Sequence, residues 1–443
     1  MSTQTPPTST PCASGPPSTL SGDKSGSQES LHDSTQQPGV QLNGGFVAWS
    51  QVLVSHLIVI NGFGYFSSFA LFQAHWTTTL SKNASEISWV GSISLFLLFF
   101  LGTLSGKAMD AGHFRSLLIL GCSFQIVAVF STSFVTQYWQ LLLSQGVAQG
   151  IGNGLLFTPC VALVSTYFTK FRAFALSLAA CGAPVGGIVF PVLSRQLAPR
   201  IGYPWAIRIM GFVILFNCVV IVLLARPRSF TQRKGQPLID VHAFKEPTYL
   251  LFAVGIFFTL WGVYIAYFYT TTFGRNVIHI SEAQSLTLLM ILNGVGIPGR
   301  LIPAYVADRR FGSFTTLLPF VGGAAVMLFG WIGVRSEGAF YAFVILYGIC
   351  SNAVQTLFPS ALSQLTTDLS KMASRVGMVF TVGSFACLTG PPIAGALIDV
   401  GEGDYLYAQL FGGCSVVLGL AFLSAARWCQ RQERRRVQEQ DCC

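Results

Sequence analysis

From Phe46 onward the chain returns again and again to apolar stretches of about twenty residues, the length of helix that crosses roughly 30 Å of hydrocarbon. The stretches fall at 47–72, 87–106, 117–135, 139–162, 174–194 and 205–225, then at 249–273, 285–306, 316–334, 339–362, 376–398 and 405–427. A segment inside lipid must satisfy its own backbone hydrogen bonds, so such stretches are helices. Only 10% of residues are charged and the mean hydropathy is +0.58. A soluble protein, with about 25% charged residues, covers its surface with groups that this chain does not have. The sequence therefore predicts an all-α polytopic membrane protein of twelve transmembrane helices. They divide into a first six-helix half at 46–225 and a second at 249–427, joined by a polar loop at 226–248.

Residues 1–45 are rich in Ser, Thr, Pro, Gly and Gln and hold no long apolar run, which reads as a disordered tail. They lack the charged start, apolar core and cleavage site of a signal peptide, so the first span must direct insertion itself. A short basic tail at 428–443 closes the chain. With both termini on one side, that side's loops and tails hold nineteen Lys and Arg, and the opposite loops hold five: Lys82, Arg195, Arg200, Arg275 and Arg335. This bias places both termini in the cytoplasm, and the plasma membrane is the expected location. The net charge of +9 thus reports topology and not nucleic-acid binding. The one Asn-x-Ser/Thr sequon, Asn83-Ala84-Ser85, falls in the first external loop, where Asn83 is open to N-glycosylation.

The two halves echo one another. After the second span the chain reads Gly106-Lys-Ala-Met-Asp110-Ala-Gly112-His-Phe-Arg115, and after the eighth Ala304-Tyr-Val-Ala-Asp308-Arg309-Arg310-Phe-Gly312. The fifth span (Lys170, Arg172, then Gly182-Ala-Pro184-Val-Gly186-Gly187) is answered by the eleventh (Lys371, Arg375, then Gly390-Pro391-Pro392-Ile-Ala-Gly395). Repeated halves are the organisation of secondary transporters. These residues resemble the major facilitator superfamily, whose loop signature has this Asp and downstream Arg. Asn43-Gly44-Gly45-Phe46-Val-Ala-Trp49 and Tyr167-Phe168-Thr-Lys170-Phe-Arg172-Ala-Phe-Ala175 are similar to the two signatures of its monocarboxylate porter family, with Asn43 and Phe171 departing from the pattern. Gln145-Gly146…Gly150-Ile-Gly152-Asn153-Gly154 and the short loops look most like the fungal branch. The resemblance, over about residues 43–427, implies the major facilitator fold and alternating access.

Charge inside a span costs about 2.5–3.5 kcal/mol on insertion scales and marks function by default. Arg300, in Asn293-Gly-Val-Gly-Ile-Pro298-Gly-Arg300, is the clearest instance, and its alternative is an Arg that snorkels to the interface. The resemblance implies that an Arg here grips a substrate carboxylate. It also implies an acidic residue one turn earlier, where Gly296 stands, and a first-helix Lys, where the chain has Phe66-Ser67-Ser68. All seventeen acidic residues lie in tails, loops or helix ends, so His56 is the deep titratable group left for proton coupling, against the alternative of a neutral His bonded to a neighbouring helix. Asn61, Gln149, Asn153, Asn293, Asn352 and Gln355 are substrate-binding candidates, each open to the alternative of holding two helices together. Tyr264 is a further cavity candidate, and an outer aromatic belt accounts for Tyr267 and Tyr269. The Asp110 and Asp308 loops, with Arg115 and Arg309, read as a conformational latch built on Asp–Arg bonds.

No Walker motif, metal spacing or catalytic constellation accompanies the spans, so neither cofactor nor metal nor enzymatic activity is expected. The expected partners are a small-molecule substrate, with a coupled proton implied by the family, and the bilayer; the chain is expected to act as a monomer. The leading reading is a secondary transporter of a small, monocarboxylate-like organic acid or related metabolite. The first alternative is an efflux transporter of a fungal secondary metabolite, and the second a non-transporting nutrient sensor, which the short tails disfavour.

Overall fold

Among the described residues, twelve helices answer to the twelve apolar stretches. The computed structural model describes residues 44–67, 76, 79–81, 84–227, 241–366 and 371–441, and Gln41–Cys443 form one compact unit. In the first half the spans are α1 (Phe46–Ser67), α2 (Trp89–Asp110), α3 (Phe114–Thr132), α4 (Tyr138–Tyr167), α5 (Arg172–Ile201) and α6 (Tyr203–Leu224). The second half holds α7 (Pro247–Asn276), α8 (Ala283–Phe311), α9 (Ser313–Trp331), α10 (Glu337–Leu365), α11 (Met372–Val400) and α12 (Leu406–Glu433). Asn83, most of the N-terminal tail, most of the central loop and Cys442–Cys443 lie outside the described residues, so the glycosylation and tail expectations have no structural counterpart here.

The polarity of the bundle is that of a protein dissolved in lipid. Leu223, Phe216 and Val127 are 73%, 68% and 59% exposed, while Asn61 and Gln125 are fully buried. In water the outward leucines and phenylalanines would be an aggregation surface; against acyl chains they cost nothing. Association of such helices rests on close backbone approach, and small residues stand where it happens. Gly64 of α1 faces the backbone of Gly186 of α5, at a separation no Cβ could share.

Two seams join the halves. At the α2–α11 seam Gly102 and Gly106 run against the backbones of Gly377 and Ala373. There Thr381 Oγ1 donates to the Phe100 carbonyl at 2.9 Å and lies 2.7 Å from Thr103 Oγ1. At the α5–α8 seam Gly187 faces Asn293. Among the described residues three helices contain a π-helical turn, at Ile60–Gly64, Leu142–Ala148 and Ala307–Phe311, where one inserted residue shifts the phase of the side chains that follow.

The last helix runs on past its span to Asp441. Its Arg, Gln and Glu residues are good helix formers, and it is held by a hydrogen bond from Thr248 Oγ1 to Glu433 (3.1 Å). Tyr267 and Tyr269 do not form an outer belt. Both turn into the bundle, where Tyr267 Oη lies 3.1 Å from Ser351 Oγ and Tyr269 Oη donates to the Pro391 carbonyl at 2.8 Å. The other intramembrane arginine, Arg208, has an interfacial explanation: its guanidinium stacks 4.6 Å from Phe134 and 4.8 Å from Trp205 and bonds to Ser133 Oγ.

Candidate transport site

The Gly-rich run before Arg300 decides where that side chain goes. Gly296 lets the Asn352 carboxamide come within 3.0 Å of where a Cβ would stand, and Gly299 lies equally close to the backbone of Ile349. With α8 drawn against α10 in this way, Arg300 extends along α10. Its Nε donates to Asn352 Oδ1 at 3.0 Å and its Nη1 to Thr356 Oγ1 at 3.4 Å. Asn352 is itself fixed by donating from Nδ2 to the Gly348 carbonyl at 2.7 Å. Arg300 is only 6% exposed, which removes the snorkelling alternative. Among the described residues it pairs with no carboxylate, and its titratable neighbours are Tyr267, Cys181 and Tyr264.

Arg300 forms part of the wall of a central cavity between the halves, together with Val59 and Phe63 of α1, Phe157 of α4, Ala183 of α5, Tyr264 of α7 and Gln355 of α10. Most of the wall is apolar, and its polar members are Ser55, Tyr264, Arg300, Gln355 and Thr356. Of the sequence candidates, Tyr264 and Gln355 line this cavity, and Asn352 holds the guanidinium. Tyr267 adds a phenol near Arg300, its Oη 3.1 Å from Ser351 Oγ, which the belt reading had hidden.

Asn61 and Asn153 belong elsewhere. Asn61 accepts from Asn217 Nδ2 at 2.8 Å and reaches Gln125, and Gln125 donates to Asn153 Oδ1 at 2.7 Å. This buried chain ties α1, α3, α4 and α6 of the first half, with Gln149 donating to Asn153 at its edge. Neither of these two substrate-binding candidates lines the cavity at Arg300; their side chains bond between helices of the first half. Asn293 sits at the α5–α8 seam, its Nδ2 bonded to the Leu289 carbonyl at 2.9 Å. His56 Nδ1 lies 2.8 Å from the Leu178 carbonyl, an interhelical bond from α1 to α5.

The two loop carboxylates each bond to backbone N–H groups across the halves. Asp308 accepts from the backbone N–H groups of Ala173 (3.1 Å) and Phe174 (2.7 Å), the opening residues of α5 in the other half. Asp110 accepts from the N–H of Ser374 (2.8 Å), at the opening of α11, again across the halves. The first turn of a helix has N–H groups without intrahelical acceptors and a positive dipole end, and a carboxylate satisfies both. Arg115 is exposed, and Arg309 stacks over the rings of Tyr305 (5.3 Å) and Phe171 (5.7 Å). The cation that sits in the field of Asp308 is Arg172, whose Nη1 also crosses the halves to the Ser363 carbonyl at 3.1 Å.

Residues 54–366 match the family model of the Major Facilitator Superfamily. The chain belongs to that superfamily. Its relatives include an MFS-type transporter of Gibberella zeae, 41% identical over 90% of this chain and 91% of the relative. The fujikurins efflux protein of Gibberella fujikuroi is 32% identical over 88% of this chain and 85% of its own. Among solved structures, the human organic anion transporter MFSD10 superposes with a TM-score of 0.67 at 13% identity, covering 85% of this chain and 98% of that one. The E. coli fucose:proton symporter FucP gives 0.66 at 14% identity, covering 86% and 98%. At these identities the structures attest the fold.

In this major facilitator transporter the central cavity measures about 50 Å³. At roughly 10–15 Å³ per water, that is room for about three to five waters, too little for an organic metabolite. Beside it the rings of Phe63, Phe99, Phe157, Phe380 and Phe358 pack at centroid distances of 5.1–6.0 Å, closing the halves over the site. No periodicity in the sequence singles these phenylalanines out from the 37 present. With the Asp latches closed at one end, the bundle is in a contracted state that must open to admit cargo.

Proposed function

We propose that the protein exports a small amphipathic organic acid, with an apolar body of the kind made in secondary metabolism and one anionic group, by alternating access. The observation that carries this reading is Arg300: buried, held by neutral Asn352 and Thr356, and without an acidic partner among the described residues. A buried cation without a counter-ion keeps a desolvation cost that an incoming carboxylate relieves, and its planar donor edge suits a carboxylate through paired hydrogen bonds. The aromatic and aliphatic walls suit an apolar body.

Export is favoured by three considerations. A relative 32% identical is named an efflux protein. The Lys/Arg bias supports a cytoplasmic location for the Asp-latch end and both termini, with the protein in the plasma membrane. No carboxylate lies deep in a span to carry a proton, and an anion leaving a negative interior needs none, since the potential itself supplies about 2.3 kcal/mol per charge per 100 mV. Uptake of a short monocarboxylate is the second reading, supported by the motifs around Trp49 and Lys170. Metabolite profiling of cells and medium, with and without the protein, separates the two. Export predicts an acid that leaves the medium and accumulates in cells when the protein is removed; a medium acid that fails to enter cells lacking the protein overturns it.

A further inference from the structure

At the end opposite the Asp latches, α5 and α8 stand apart around a cleft of about 300 Å³, lined by Pro191, Val192, Arg195 and Gln196 of α5 and by Leu286 and Met290 of α8. Further in, Asn293 meets Gly187 so closely that a Cβ on the glycine would lie 2.5 Å from Asn293 Oδ1. Beyond that contact, Ala183 and Arg300 line the central cavity. These positions recur at helical spacing on each element: 183, 187, 191 and 195 on α5, and 286, 290, 293 and 300 on α8. Residues three, four and seven apart share one face of a helix, so cleft, contact and cavity follow each other along the same two facing surfaces. Toward the latch end the same seam is shut, by the Phe174–Tyr305 ring pair (6.4 Å) and by Asp308 on the first turn of α5.

We infer that the α5–α8 seam is the passage between the central cavity and the face opposite the latches, and that Asn293 against Gly187 is its constriction. The Asn293 side chain is held through Nδ2 alone, by the Leu289 carbonyl one turn away; among the described residues Oδ1 has no partner, so the amide swings aside without breaking an interhelical bond. The absence of a side chain on Gly187 leaves the amide just enough space to fill, which makes residue 293 the position that sets the width of the passage. Arg195 at the mouth and Arg300 at the floor give both ends positive charge, and among the residues whose side chains are described no acidic one lines either, so the passage suits anions. The anion preference rests on the proposed function; the constriction does not.

The test needs no cargo. In the full-length protein, Ala183→Cys puts a thiol on the cavity wall, and its modification is compared with that of the same protein carrying the Asn293 variants. Right-side-out and inside-out membrane vesicles are treated with membrane-impermeant methanethiosulfonates, one carrying a sulfonate and one a trimethylammonium group, and modification is read by peptide mass spectrometry. Asn293→Ala should raise the rate at the introduced thiol about tenfold from the face opposite the latches, the response to losing a contact worth roughly 1.4 kcal/mol. Asn293→Gln should slow it, and the sulfonate reagent should outpace the cationic one, with that preference reduced by Arg195→Gln. Asn293→Gln keeps the test alive should Asn293→Ala prove poorly folded. Rates unchanged by both Asn293 variants, or a thiol unreachable from that face in every protein, overturn the constriction. An unchanged rate together with Arg300-dependent export would sink the passage and leave the proposed function standing.

Discussion

Replacing Asp308 by Asn removes one charge from the latch and changes almost nothing else in shape. The carboxylate receives the N–H groups of Ala173 and Phe174 with separate oxygens, so both are acceptors in use. The amide of Asn offers one acceptor; its NH2 turns a donor toward a donor, and the interaction with the positive end of α5 disappears. Carboxylates at helix starts contribute about 0.3–1 kcal/mol when exposed and up to about 2 when partly buried, and Asp308 is half-buried. A loss of roughly 1–2 kcal/mol moves the closed-to-open ratio at this end about five- to thirtyfold. The assay is amide hydrogen exchange over the opening turn of α5 in nanodiscs, where protection at Ala173 and Phe174 should fall by that factor while the α9–α10 core keeps its protection. Asp110→Asn should do the same at Ser374 on the α11 side. Because both carboxylates hold the same closed state without touching one another, the double variant should show the sum of the two free-energy losses. Unchanged exchange at Ala173 and Phe174 would refute the reasoning, whatever happened to transport.

Three further outcomes follow from the geometry. Asn352→Leu should weaken cargo binding by about 1–3 kcal/mol without unfolding the bundle, since it strips Arg300 of its best-placed acceptor; binding by the purified protein against thermal unfolding separates the two effects. Asn61→Leu should do the reverse, lowering the unfolding temperature and leaving affinity nearly intact, because its amide serves Asn217 and Gln125 and not the cavity. Gly106→Val drives a side chain into the Ala373 carbonyl and should hold the latch end open, seen as persistent access of an impermeant thiol reagent from that side.

The sequence shows where the spans and the charges lie, because hydropathy and the Lys/Arg bias act over whole segments. It does not show which way each span faces. These helices are apolar all round, so a side chain's direction has no periodic signature, and a π-helical turn such as Ile60–Gly64 shifts the phase again. Asn61 and Asn352 therefore look alike as isolated amides in apolar runs, yet one ties helices together and the other positions Arg300. Tyr267 is indistinguishable from a belt residue until its hydroxyl is found beside Ser351. Asp308 stands out in the sequence through its repeated loop motif, but its partners are backbone N–H groups of the opposite half, which no residue identity announces.

Everything proposed about the cargo converges on Arg300, and one comparison tests it most directly: export of the profiled acid by cells carrying the protein, Arg300→Ala and Arg300→Lys at equal membrane levels. Loss of one partner from a desolvated charge pair costs about 2–5 kcal/mol, so both variants should lose roughly thirtyfold or more in apparent affinity. Lys should rescue little, since a point charge lacks the planar donor edge that Asn352 and Thr356 orient. Normal export by Arg300→Ala would contradict the account and leave a neutral metabolite as the cargo.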